Sequence, residues 1–349
     1  MSIATPSDDI DKRSNKDFSF GYRCELVDRY QKACNFEFSF DAEPSPPKRD
    51  WSTYNKGQTN EQVYFDALLK DLVDCIPEPE QKMGRPRIPN SKLAFFSVKK
   101  VASRMSSRRV QGTFDKDAPH FNASSRFLMD KKTTGILQSL IHVSSLPLAG
   151  LEIDFAVDST GFSTTAFGQY CIFKHKKIRK HKWQKLHLCT GVKTNVVTYA
   201  IVTDSNVADI TQFKELVELT SLNFDINEVS ADKAYSSRAN YDLLGKLGGQ
   251  AFIPFKSNAT GRAGGSRLWR DAYHLFQLNR DEFDDHYHKR SNVETTIGAI
   301  KAKFGETLKS KSKIAQRNEL LCKILAYNIT VLIREMYVNG IDLHLNSDW

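Results

Sequence analysis

The polar and apolar positions of this chain fall into two textures. From Leu151 the chain runs in short apolar stretches separated by turns. LEIDFAVDS alternates, with Leu151, Ile153, Phe155 and Val157 on one face and Glu152, Asp154, Ala156 and Asp158 on the other, the pattern of a strand that ends in acid. LHLCTGVK and VVTYAIVT follow as two more strands around a short polar turn at Thr194 and Asn195, which predicts an antiparallel meander with the first. DITQFKELVEL reads as a helix with Asp209 and Gln212 in a capping box. INEVSADKAY is a fourth strand ending at Asp232, SSRANYDLLGKLG a capped helix closed by glycine, and QAFIPF a fifth strand. A helix from Tyr287 and an apolar helix from about Glu319 to Met336 complete the order, which predicts an α/β fold with a mixed five-stranded sheet flanked by helices.

The N-terminal part is different. Residues 1–82 are polar with scattered aromatics and one helical pattern, EQVYFDALLKDLVDCI, and no role is assigned to them. Pro/Gly punctuation in KMGRPRIPNSK precedes SKLAFFSVKKVASRMSSRRV, read as one helix with Arg104, Arg108 and Arg109 near one side, and a second helix follows from about Ser124 to Ser145. This pair reads equally well as a small DNA-binding unit or as a helical flank of the main domain. The expected division is 1–82, a helical candidate DNA-binding region 83–146, a main α/β domain 147–338 and a tail 339–349.

In the stretch YHKRSNVETTIGAIK, a continuous helix at about 100° per residue puts Tyr287, Arg290, Glu294 and Lys301 within about 60° of one another. Val293, Ile297, Ile300 and Phe304 form the adjoining apolar stripe, while His288, Lys289, Asn292, Thr295, Thr296 and Lys303 point elsewhere, toward solvent. Such charges read either as ordinary surface pairs or as a glutamate presented to a site and flanked by cations.

Charge sharpens the choice. Hydrophobic content of 40% is that of an ordinary globular chain, and the net charge of +9 favours polyanionic partners such as nucleic acid or serves solubility alone. The positive charge concentrates in KHKKIRKHKWQK from Lys174 to Lys185, where Lys176, Lys177, Arg179, Lys180 and Lys182 are candidate phosphate contacts beside Arg108 and Arg109. The six cysteines have no CxxC or zinc-finger spacing and read as reduced intracellular thiols. The most apolar run, LLCKILAYNITVLI, is interrupted by Lys323 and Asn328, so no membrane segment or leader is expected.

Three carboxylates stand out: Asp158 and Asp232 at strand ends and Glu294 on the late helix. They read as unrelated surface acids, or as a cluster at the carboxyl ends of parallel strands, where open α/β sheets bind ligands. Clustered acids repel and require a compensating cation, and a hard divalent ion such as Mg²⁺ suits phosphodiester chemistry. Asp154 is the runner-up for the first acid and His187 a candidate base, while Trp183, Trp269 and Tyr235 are candidates to stack on an unpaired base.

The spacing of Tyr287, Arg290, Glu294 and Lys301, preceded by AVDST at Asp158 and SADKAY at Asp232, resembles the DDE transposases of insertion sequences, in the group with the Y-x2-R-x3-E-x6-K pattern. The resemblance extends roughly from Pro86 to Ile333. It implies a ribonuclease H-like core in which Asp158, Asp232 and Glu294 are catalytic and bind two Mg²⁺ ions, with Mn²⁺ able to substitute. It also implies that Tyr287, Arg290 and Lys301 engage DNA backbone. The activity expected from it is binding of terminal inverted repeats in double-stranded DNA, cleavage at the element ends and joining of the 3′-hydroxyl to target DNA. A homodimer would hold the two ends in a synaptic complex, at a cytoplasmic, nucleoid-associated location. Some relatives carry a large β-strand insertion where this chain has only the short segment from about Lys256 to His286. Rival readings are a metal-dependent nuclease without strand transfer and a DNA-binding derivative without catalysis.

Overall fold

The computed structural model describes residues 50–81, 83–114, 118–164, 183–262 and 264–341. Most of the 1–82 region, the basic run from Lys174 to Lys182, most of the 339–349 tail and Cys24, Cys34 and Cys171 lie outside them.

A five-stranded mixed sheet organises the chain, in the order β3-β2-β1-β4-β5. Strands β1 (Asp154–Ser163), β2 (Trp183–Gly191) and β3 (Val197–Asp204) form the antiparallel meander, turned at Asn195 with φ of 60°. Strand β4 (Glu228–Ala231) pairs parallel with β1, and β5 (Gln250–Phe252) parallel with β4. The architecture is a mixed sheet flanked by helices, as the alternation of strand and helix predicts, and it is ribonuclease H-like, as the resemblance implies.

Both faces are covered. On one, helices α1 (Trp51–Asp74), α2 (Asn90–Ala102), α4 (Phe121–Met129), α5 (Lys131–Ser145), α10 (Ser291–Phe304) and α11 (Lys313–Val338) share a core with Ala156, Leu186, Leu188 and Ala200. On the other, helices α6 (Ile210–Thr220), α7 (Arg238–Lys246), α8 (Arg267–Leu278) and α9 (Arg280–Tyr287) pack with Phe155, Val157, Val229 and Ala231. Phe155 and Val157 thus face one core and Ala156 the other, so the alternation of β1 separates two cores rather than core from solvent. Ile153, expected inside, precedes the strand and is exposed. No helix among the described residues is long and apolar enough to cross a membrane.

Helix α11 is the central pillar, and its polar interruptions have partners. Asn328 accepts from the Val197 N–H (3.0 Å) and donates to the Val197 carbonyl (2.7 Å) and to Ser144 Oγ (2.9 Å), joining α11 to β3 and α5. Lys323 donates to the Gly305 and Thr307 carbonyls, and burial depresses its ammonium to about 8.

Several boundaries differ from the sequence pattern. The expected helix through Arg109 stops at Ala102; Arg104 takes a left-handed φ of 56°, and Arg108 and Arg109 sit on a separate short helix, α3 (Ser107–Gln111), capped by Ser106. The helix read from Ser124 to Ser145 is two, split at Asp130, whose carboxylate caps α5 through the Lys132 N–H. Asp209 occupies the N-cap position of α6 but makes no cap; its carboxylate is drawn to Lys185 (2.6 Å) and lies 3.3 Å from His187 Nδ1 on β2. The short segment between β5 and Tyr287 is folded into α8 and α9.

Candidate active site

Strand β1 does not end at Asp158. It continues to Ser163 because its second half pairs with β2 and then with the chain after α10, where Ser163 bridges Thr307. The parallel pairing with β4 does stop there: Val157 opposite Ala231 is the last pair, and the next residues on the two strands are Asp158 and Asp232. Two carboxylates therefore emerge side by side where adjacent parallel strands part, the position at which open α/β sheets receive ligands.

Each is held by its own backbone. Asp158 Oδ1 accepts from the Ser159 N–H at 2.8 Å. Asp232 Oδ1 accepts from the Lys233 N–H at 2.6 Å and caps a 3-10 turn, Lys233–Tyr235.

The third acid arrives from a broken helix. Helix α9 ends at Tyr287, a 3-10 turn spans His288–Arg290, and α10 begins at Ser291, so the single continuous helix expected across Tyr287 to Lys301 is not formed. The tighter turn changes the angular step, yet three members of the stripe still meet. Arg290 donates from Nε to Tyr287 Oη (3.1 Å), from Nη1 and Nη2 to Glu294 Oε1 (both 2.7 Å) and from Nη1 to Asp158 Oδ2 (3.4 Å). Lys301 lies two turns farther on, its ammonium 5.5 Å from the centre of the Phe162 ring. The apolar stripe holds at three of its four positions: Val293, Ile300 and Phe304 are buried, and Ile297 is partly buried against the same core.

Burial raises the Asp158 carboxyl; the Ser159 N–H and Arg290 oppose this, and the nearby Asp232 and Glu294 reinforce it. Burial also raises the Tyr287 hydroxyl. The Asp158 carboxyl thus feels the charges of Asp232 and Glu294, and Arg290 links Asp158 to Glu294. Among the described residues no three His, Cys, Asp or Glu side chains stand close enough to hold a metal ion. The three candidates are carboxylates, the hard oxygen donors that a divalent ion takes, and Arg290 occupies the space between Asp158 and Glu294.

Three side chains expected in solvent point inward. Lys289 donates to Asp154 Oδ2 (2.7 Å) and Glu228 Oε2 (2.8 Å), Thr296 is buried, and Lys303 pairs with Glu61 on α1. Asp154, the alternative first acid, is therefore engaged by Lys289 rather than free at the site.

A family model described as a transposase DDE domain matches residues 150–329, just over half of the 349 residues. The chain belongs to the transposase DDE domain family. DNA is the partner that a transposase domain implies, and transposases of this kind generally use divalent metal ions.

The remaining candidates of the transposase divide by burial. Arg108 and Arg109 are exposed on α3, with the Arg108 guanidinium 4.6 Å from the centre of the Phe121 ring. Lys176, Lys177, Arg179, Lys180 and Lys182 lie outside the described residues. His187 is buried against Thr203 (2.8 Å), and burial lowers its pKa to about 4, which removes it as a base facing solvent. Tyr235 is buried, and Trp269 is buried with its indole N–H donated to the Thr260 carbonyl (2.9 Å), so neither offers a face to a base. Trp183 is partly exposed at the start of β2.

Proposed function

We propose that this transposase is a member of the group with the Tyr-Arg-Glu-Lys pattern, that it binds the terminal inverted repeats of its element, cleaves at their ends and joins the 3′-hydroxyl to target DNA. The observation that carries the reading is the meeting of Asp158, at the point where β1 and β4 part, with Glu294 through Arg290. Asp158, Asp232 and Glu294 would hold two Mg²⁺ ions, or Mn²⁺ in their place. When bound, such ions supply Lewis acidity for an attacking water or 3′-hydroxyl and neutralise the departing oxygen.

The protein's own groups supply the rest. Arg290 offers a planar guanidinium that pairs bidentately with phosphate once it leaves a carboxylate. Tyr287 provides a hydroxyl beside it, and Lys301 a point charge farther along the same side. Arg108 and Arg109, with the run from Lys176 to Lys182, would bind duplex backbone away from the cut. Residues 147–338 form the catalytic unit on this reading, 83–146 the candidate DNA-binding region, and two copies hold two ends in a cytoplasmic synaptic complex.

The decisive experiment is cleavage of a labelled duplex carrying the repeats that flank the gene, with Mg²⁺, by the wild type and by Glu294→Gln. Metal-dependent nicking that disappears in the variant while end binding persists supports the reading. Equal cutting by both proteins would reduce Glu294 to a helix-face acid, and no cutting by either would leave a DNA-binding protein without chemistry.

A further inference from the structure

A second set of charges lies along β1, next to the acids of the proposed site. Asp154 and Glu228 are the first residues of β1 and β4 and are directly paired in the parallel register. Lys289 donates to one oxygen of each, at 2.7 and 2.8 Å. The other oxygens are also engaged: Asp154 Oδ1 accepts from Asn227 Nδ2 (2.9 Å), and Glu228 Oε1 lies 2.8 Å from His286 Nδ1. The His286 ring stacks on Phe252 of β5, with centroids 4.3 Å apart and planes 9° from parallel, and its carbonyl accepts from Ser230 Oγ (3.1 Å). Residues before and within the 3-10 turn are thereby fastened to β1, β4 and β5.

The spacing matters for the site. Asp154 and Asp158 are four residues apart on one strand and so lie on the same face, about 13 Å apart at the usual rise. Lys289 and Arg290 are consecutive in the turn, and each takes one of these acids. The turn therefore lies along β1 with one cation at either end. At the Asp154 end the cation sits between two partly buried carboxylates; at the Asp158 end it is shared with Glu294, whose side chain is 58% exposed. One end is built as an anchor and the other as an exchangeable contact.

The geometry points to Lys289 as a positioning residue: by fastening the α9–α10 turn to Asp154 and Glu228, it sets where Arg290 and Glu294 stand relative to Asp158. This assigns Asp154 a role as half of the anchor. The inference rests on the proposed cleavage reaction for its rate arm, but its structural arm does not.

The test compares Lys289→Met, Lys289→Arg and the neutral triple variant Asp154→Asn/Glu228→Gln/Lys289→Met. A misplacement of about 1 Å in a catalytic group costs on the order of 100-fold in rate, so Lys289→Met is expected to lower the cleavage rate at saturating DNA by about 10- to 100-fold. Its end-binding Kd should change far less than the rate, since Arg290 is only one of the proposed backbone contacts and Arg108, Arg109 and the run from Lys176 to Lys182 are left in place. Lys289→Arg should retain most of the rate. The triple variant should recover thermal stability, because no charge is left uncompensated, and still cleave slowly. Hydrogen–deuterium exchange on DNA-free protein should rise at 286–292 and not in α11. Unchanged cleavage in Lys289→Met, a rate loss matched by a loss of DNA binding, full activity in the triple variant, or exchange that rises everywhere would each overturn the assignment. If the wild type cuts no end, the proposed function fails, and the exchange data alone decide whether Lys289 holds the turn.

Discussion

Arg290 donates two hydrogen bonds to a single oxygen of Glu294, four residues along, and its Nη1 also reaches Asp158 on β1. Arg290 supplies positive charge to Asp158 and Glu294, and Asp158 also feels the repulsion of Asp232. Substituting Arg290→Met should therefore create a greater demand for a divalent ion. Filling a site to tenfold its Kd adds about 1.4 kcal/mol to stability. The variant is expected to melt lower than wild type without metal and to gain about 2–4 °C more from Mg²⁺. Equal Mg²⁺ shifts in a thermal melt of both proteins would mean that Arg290 and metal do not share the acids.

Asn328 accounts for how a polar residue sits in the most apolar helix. It pairs both backbone groups of Val197 and reaches Ser144, all in the buried core. Asn328→Leu would match the surrounding hydrophobicity but leave the Val197 N–H and carbonyl without partners, each an unmet group costing about 1–3 kcal/mol. A loss of about 2–4 kcal/mol is expected in urea unfolding. A variant as stable as wild type would show that water or a backbone shift replaces the amide.

Buried His187 gives a pH signature. Burial lowers its pKa from 6.5 to about 4, although Asp209 pulls the other way. Between those values the unfolded chain holds a proton that the folded one lacks, so stability rises with pH across this window. The contribution is complete above about pH 6.5 and is lost as pH falls toward 4, by about 3 kcal/mol at most. Urea midpoints at pH 7 and pH 4.5 should differ less in His187→Gln than in wild type. An identical pH dependence would mean that His187 takes up its proton in the folded state as readily as in the unfolded.

What could be read beforehand follows from whether a feature is local. Strand alternation, the capped helix after SADKAY, which Ser237 caps, and most of the stripe of Val293, Ile297, Ile300 and Phe304 depend on neighbours within a turn, and they appear as expected, with Ile297 only partly buried. The three acids were singled out because Asp158 and Asp232 follow short apolar runs and Glu294 lies beside an apolar helical stripe. The 3-10 break at 288–290 was not, since neither Gly nor Pro marks it; it accompanies the inward pull of Asp154 and Glu228 on Lys289, and those two become neighbours only once β1 and β4 pair. Asp209 failed as a cap for the same reason, because Lys185 on β2 draws its carboxylate away. Ser266, which caps α8 through the Trp269 N–H, was a local signal for a helix that the Gly-rich stretch before it obscured.

The exposed pair on α3 offers a test that is independent of catalysis. Ser106 caps this short helix and both arginines point away from the buried Val110. Arg108 is braced against Phe121, a contact that holds its charge at the surface without an acidic partner among the described ion pairs. Each phosphate neutralised by such a residue adds about 0.9 to the slope of log K against log salt for duplex DNA. Arg108→Ala with Arg109→Ala should therefore weaken binding to element ends and reduce that slope by about 1 to 2. The same loss on unrelated duplexes would identify the contacts as backbone rather than base readout. Binding and slope unchanged from about 50 to 200 mM salt would remove α3 from the DNA interface and leave the arginines as a solvated edge of the helical layer packed on α11.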